Sequence, residues 1–200
     1  MKLGAKIALT PCLIVILLSC LVVQSIASSR TKSITFDEKV YITGGYHILK
    51  TGEYYFSCCH PPLIQALVAS PLLLLDLKLP QIDGDLQRLD FIAQMDYSTQ
   101  FFTENSDKVE EIALFSRSII VAVSVITGLF VYAWAARLFG KKAGLFALFL
   151  YVFDPNIIAH SSIATLDLGF TALLFIGLFY LNRLIQHPNV RYFVTAGLML

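Results

Sequence analysis

Ile119-Ile120-Val121-Ala122-Val123-Ser124-Val125-Ile126-Thr127-Gly128-Leu129-Phe130-Val131-Tyr132-Ala133-Trp134-Ala135-Ala136 contains no charged residue and is bracketed by Arg117 and Arg137. A helix needs about 20 mostly apolar residues to cross roughly 30 Å of hydrocarbon, and this run meets that requirement. Similar runs lie on either side of it. Leu138–Phe153 follows after a short basic turn, Leu168–Ile185 comes next, and another run opens near Tyr192 and continues to Leu200. Ile7–Ala27 precedes them. Composition agrees: 56% of the residues are hydrophobic and 14% charged, against about 45–50% and 25% in a soluble domain. Mean hydropathy is +0.70. The expected fold is an all-α polytopic membrane protein. A net charge of +1 with no basic stripe sets nucleic acid aside as a partner.

Charge placement orients the spans. Cytoplasmic loops carry excess Lys and Arg. Lys2 and Lys6 lie before the first run, Arg137, Lys141 and Lys142 between the second and third, and Arg183 and Arg191 after the fourth. All three clusters fall on the cytoplasmic side only if the ambiguous run Leu63–Leu79 does not cross. That run is short and is flanked or interrupted by Pro61, Pro62, Pro71 and Pro80, so an interfacial helix in the headgroup layer is expected there. The resulting division is a first span over 1–27, an external loop over 28–116, and spans two to four with the start of a fifth over 117–200. The loop is expected to hold interfacial helices at about 37–50 and 62–79, and Asp154–Asp167 forms a second, shorter external segment. Because the last run is still open at Leu200, the chain is expected to be a fragment. Ser25-x-Ala27 and Leu-Leu-Ser-Cys20 also resemble signal sequences; a retained span is favoured, and orientation is the same in each case.

Four cysteines are too few for a disulfide scaffold. Cys12 and Cys20 sit within the first run as small hydrophobes. Cys58-Cys59-His60 hints at a metal site, but structural zinc ligands are usually spaced by two to four residues.

Polar residues capable of chemistry gather in three places. In Thr35-Phe36-Asp37-Glu38-Lys39-Val40-Tyr41, Asp37 and Tyr41 share a face of a short amphipathic helix, while an acidic pair in a first turn also simply suits the helix dipole. Gly44-Gly45 weakens the middle of that helix. His60 precedes Pro61-Pro62 at the start of the second loop helix, as a solvated loop residue or beside a helix N-terminus that favours phosphate. Asp154-Pro155-Asn156-Ile157-Ile158-Ala159-His160-Ser161-Ser162 and Thr165-Leu166-Asp167 interrupt the apolar hairpin. Asp167 is a functional candidate at a span edge and equally a candidate N-cap.

Asp37-Glu38 with Tyr41, Gly52-Glu53-Tyr54 and His60-Pro61-Pro62-Leu63 together resemble the first external loop of the dolichyl-phosphate-mannose protein mannosyltransferase superfamily, whose bacterial relatives include aminoarabinose transferases acting on lipid A. Leu138-Phe139-Gly140-Lys141-Lys142-Ala143-Gly144, Pro155-Asn156-Ile157-Ile158-Ala159-His160-Ser161 and Thr165-Leu166-Asp167 are similar to its third and fourth spans. The likeness runs in matching order along nearly the whole chain. It implies a GT-C-type transmembrane helix bundle in the cell (inner) membrane that transfers a sugar from a polyprenyl-phosphate donor to a hydroxyl of a protein, lipid or glycan acceptor on the non-cytoplasmic face. Carried over, Asp37 is the general base with Glu38 supporting it, and His60 meets the donor phosphate. Asp167, with Tyr41 and His160 near the substrate, stands where a second acid positions the acceptor or, in some members, holds a divalent metal ion. Two features depart from the pattern: Asp154 replaces a small residue, and Cys58-Cys59 has no counterpart.

Two other classes compete. A transporter or flippase for lipid-linked saccharide tends to show internal repeats and ionisable groups at mid-bilayer, whereas these acids sit at span edges. A non-catalytic scaffold would use the acidic loop to bind a partner.

Overall fold

The computed structural model describes residues 2–54, 60–81 and 91–200, with side chains at 9–54, 60–81 and 92–200. The adjacent Cys58 and Cys59 lie outside the described residues. Among the described residues, nine α-helices follow in order: α1 (Lys2–Arg30), α2 (Phe36–Thr51), α3 (Pro62–Ala69), α4 (Phe91–Glu104), α5 (Val109–Phe139), α6 (Lys141–Val152), α7 (Pro155–Ser161), α8 (Leu166–Gln186) and α9 (Val190–Met199). The described residues contain no strand. Among them, the helical stretches Leu9–Arg30, Ser106–Phe139 and Leu166–Gln186 are long and apolar enough to cross a membrane, and α6 with α7 makes a fourth if the pair, bent by 62°, is one span. The chain is an all-α polytopic membrane protein.

Two compact units divide it. The first comprises Met1–Ser28, Val121–Ser161 and Asp167–Leu200; the second comprises Ser29–Ile120 and Ser162–Leu166.

In the first unit, Leu18 and Leu21 of α1 pack with Leu148 and Val152 of α6, and Ile14, Val125 and Tyr132 close around them. Small residues bring these helices together. A Cβ on Gly144 would lie 2.7 Å from that of Ala136 and 2.9 Å from the Tyr132 carbonyl, so only glycine lets α6 fold back this closely on α5. Gly140, at φ 90°, makes the intervening turn. At the same end of the unit, Arg137 donates to Gln186 Oε1 at 3.3 Å, and Arg183 stacks over the Tyr192 ring at 4.9 Å. Trp134 sits between Phe175 and Phe179 nearby. Aromatic and basic residues at one end of a span bundle form the belt expected at a membrane–water boundary. At the other end, Ser25 and Ser161 hydroxyls pair at 2.6 Å.

The third apolar run stops at the polar segment, and the break is made by Asp154. Its carboxylate Oδ1 accepts from the N–H groups of Asn156 (2.8 Å) and Ile157 (3.1 Å), and Pro155 occupies the next position. Asp154 therefore starts a new helix, which accounts for an acid in place of a small residue. Asp167 lies within the first turn of α8 rather than capping it. The run from Tyr192 appears as a ten-residue helix, short of a span's length over the described residues.

The second unit is more ordered than its reading as a loop implies. α2 has a buried middle: Ile42 to Ile48 are buried without interruption, so this helix is enclosed by its neighbours on nearly all sides, not amphipathic with one apolar face. Tyr46 packs on Phe101 of α4 with ring centroids 5.7 Å apart. The expected helix over 62–79 is shorter, because α3 ends at Ala69 and Ser70–Leu74 tightens into a 3-10 turn with Pro71 near its start. The extended segment that follows is pinned by Asn105, whose amide donates to the Lys78 carbonyl (2.9 Å) and accepts from the Lys78 N–H (2.9 Å). α4 carries no apolar periodicity long enough to announce it, and it is held by aromatic side chains. α5 starts well before its apolar run.

Gly45 is where α2 meets α3. A Cβ there would lie 2.0 Å from the Gln65 carbonyl oxygen and 2.4 Å from its carbon, and backbone cannot retreat as a side chain can. Gly45→Ala is expected to destabilise the full-length protein by about 1–3 kcal/mol, the cost of overpacking. Gly197→Ala is the control: a Cβ there meets nothing within 4 Å, and the change gains up to about 1 kcal/mol of helix propensity. Thermal unfolding in detergent should move in opposite directions for the two; an unchanged midpoint for Gly45→Ala would show that α2 and α3 are not in backbone contact.

Candidate functional site

The first turn of α2 begins with a reciprocal cap. Thr35 Oγ1 accepts the Glu38 N–H at 3.4 Å, and the Thr35 N–H donates to Glu38 Oε2 at 2.9 Å. Thr35-x-x-Glu38 is the spacing of a capping box, in which two otherwise unmet N–H groups satisfy each other's side chains.

Glu38 is wholly buried. Its Oε1 accepts from Arg117 Nε at 2.7 Å and from the Ala164 N–H at 2.8 Å. Oε2 accepts from Arg117 Nη2 at 2.9 Å. The remaining guanidinium protons go to the carbonyls of Ser29 (2.8 Å), Lys32 (3.0 Å) and Ser33 (2.9 Å). A two-pronged Arg–carboxylate pair fixes geometry as well as charge. Here it ties together α2, α5, the segment after α1 and the segment before α8. Burial alone would raise the Glu38 pKa. The Arg117 hydrogen bonds, then those from the backbone of Ala164 and Thr35, outweigh it and hold the carboxyl below its ordinary 4.5. Glu38 therefore stays ionised with both oxygens occupied, which suits a positioning residue.

Asp37 is its opposite. The carboxylate is exposed and lies one turn before Tyr41 on the same face. The Tyr41 hydroxyl meets His60 Nε2 at 3.4 Å, with the two rings edge to face at 5.3 Å. His60 is exposed and immediately precedes Pro61 and Pro62, which open α3 without a side-chain cap. The second unit thus brings Asp37, Glu38, Tyr41 and His60 onto α2 and the entry to α3. In the first unit, His160 lies in the last turn of α7 and Asp167 in the first turn of α8, with Nδ1 and Oδ2 3.6 Å apart, the His160 side chain about half exposed and that of Asp167 exposed. No group of three His, Cys, Asp or Glu side chains able to hold a metal occurs among the described residues. Asp167 fits a magnesium-type ion only as one carboxylate completed by water and substrate oxygens.

Two features were not singled out from the sequence as functional. Arg117 stood there only as the edge of a span, although a lone Arg at the start of an apolar helix is a signal for a buried partner. The capping-box spacing at Thr35 was equally visible.

Breaking the pair from one side leaves a buried charge unmatched, so Arg117→Met is expected to cost about 3–5 kcal/mol. The double change Glu38→Gln with Arg117→Met should cost less than Arg117→Met alone. Because the folded pKa of Glu38 is depressed, its contribution is full above the ordinary value of 4.5 and is lost as pH falls through the lower folded value. Unfolding of full-length protein followed across this acid range should show that loss in the wild type and not in Glu38→Gln. Superimposable acid profiles would refute the assignment.

Comparison with known proteins gives a family. The family model for dolichyl-phosphate-mannose-protein mannosyltransferase matches residues 96–200. No curated protein and no solved structure matches the chain. The matched stretch contains Arg117, His160 and Asp167, whereas Asp37, Glu38, Tyr41 and His60 precede it. With more than half of its length matched, and with the helix order and apolar spans described above, the chain belongs to the dolichyl-phosphate-mannose-protein mannosyltransferase family.

Proposed function

We propose that this chain, by family a glycosyltransferase of the GT-C type in a membrane, transfers a sugar from a polyprenyl-phosphate donor to an acceptor hydroxyl at the non-cytoplasmic face, with Asp37 as the general base. The observation that carries this reading is the contrast within one acidic pair: Glu38 is immobilised by Arg117, and the adjacent Asp37 is held by the same turn but left exposed. In this scheme the Asp37 carboxylate takes the proton of the acceptor hydroxyl as its oxygen bonds to the anomeric carbon. The bond from that carbon to the phosphate oxygen breaks, its electron pair leaves with the phosphate, and the configuration inverts. A leaving phosphate needs hydrogen-bond donors. His60, steadied by Tyr41, supplies one, and Asp167 with His160 orients the acceptor.

Membranes containing the full-length protein, supplied with labelled polyprenyl-phosphate sugars, test the scheme. Asp37→Asn keeps the shape of the site but removes the proton acceptor, and kcat should fall by about 10²- to 10⁴-fold. His60→Ala should act mainly on the KM for the donor. Transfer undiminished in Asp37→Asn would remove Asp37 from the base role.

A further inference from the structure

The second unit contains a cleft of about 410 Å³ that has no part in the scheme above. It lies between the segment leaving α1 (Ser29 to Ile34) and the first turns of α5, and neither Asp37 nor His60 lines it. One side presents cations. Arg30 is exposed, and Lys32 is half-buried with its Nζ donating to Ser162 Oγ at 2.6 Å. Arg117 also reaches the wall, but its protons are committed to Glu38 and the carbonyls of Ser29, Lys32 and Ser33. The other side is apolar, with Ile34, Val109, Ala113 and Leu114. Leu114 is 49% exposed.

We propose that this cleft binds the phosphodiester of a membrane-lipid headgroup. Two cations beside an apolar wall match an amphiphile, with the phosphate on Arg30 and Lys32 and the first methylenes of its chains on Ile34 and Leu114. A free phosphate would make no use of that wall. The position is appropriate, since Arg30 ends the span-length apolar stretch Leu9–Arg30, and headgroups lie at span ends. Glu110 also lines the cleft and is exposed. Its charge disfavours a dianionic monoester and leaves the singly charged diester as the better fit.

The test is native mass spectrometry of the detergent-purified full-length protein titrated with short-chain phosphatidylglycerol, alone and with millimolar inorganic phosphate as competitor. A basic residue near an anionic lipid surface is worth about 1 kcal/mol, so Arg30→Gln should weaken lipid binding roughly fivefold and Arg30→Gln with Lys32→Gln tenfold or more. Arg30→Gln alters only an exposed side chain, which keeps the test valid should loss of the Lys32–Ser162 contact disturb folding. Leu114→Asn should weaken lipid binding and leave phosphate binding unchanged. Equal lipid retention in wild type and Arg30→Gln overturns the proposal. So does displacement of the lipid by inorganic phosphate with Leu114→Asn behaving as wild type, because that pattern describes a site for free anions.

Discussion

The ion pair between Glu38 and Arg117 is the constraint around which the second unit is arranged. Both side chains are almost entirely removed from solvent, and a buried charge is tolerable only when it is paired and its remaining hydrogen-bonding capacity is met. That demand reaches well beyond the two residues. To satisfy the guanidinium, the end of α1 and the segment after it must turn three carbonyls inward. To fill the last position on the carboxylate, the segment before α8 must present the Ala164 N–H. Three stretches of chain far apart in sequence, around Glu38, Arg117 and Ala164, are thus required to coincide. A hydrophobic pair of similar volume would pack as well but would not demand that coincidence.

This arrangement also gives two neighbouring acids opposite surroundings. Adjacent residues on a helix point about 100° apart, so one side chain of the Asp37-Glu38 pair faces inward while its neighbour faces solvent. The inward residue is locked by charge and by the Thr35 cap; the outward residue inherits a fixed backbone with a mobile carboxylate. Tyr41, one turn on, carries the same rigidity to His60 across the start of α3. Reactive groups on a braced helix are held more closely than groups on a free loop.

How much of this the sequence disclosed depended on whether each determinant was local. The apolar stretches around Leu21, Val125 and Phe175 declared spans because length and the absence of charge are properties of one window. The helix over Asp37–Lys50 was also legible, but its enclosure was not: Gly44-Gly45 read as a weak middle, whereas both are buried together with Thr43. Gly45 looks like a helix liability until Gln65 is placed against it. Glu38 and Arg117 stand 79 positions apart, and no periodicity links them. The interruption at Asp154 was legible from its polar residues, but the helix it opens was not, because Asp-Pro reads equally as a turn or as the start of a helix.

The length of α5 has a further consequence. Its 31 residues, at 1.5 Å rise each, make a rod about 46 Å long, while the oily interior of a bilayer is only about 30 Å thick. Steep tilt or overhang must absorb the excess. The uncharged portion is the C-terminal part, and Glu110, Glu111 and Arg117 crowd the other end, so the surplus falls at the N-terminus. α5 thus resembles a mast longer than the deck it passes through, and Arg117 belongs to the charged length that the oily layer does not need.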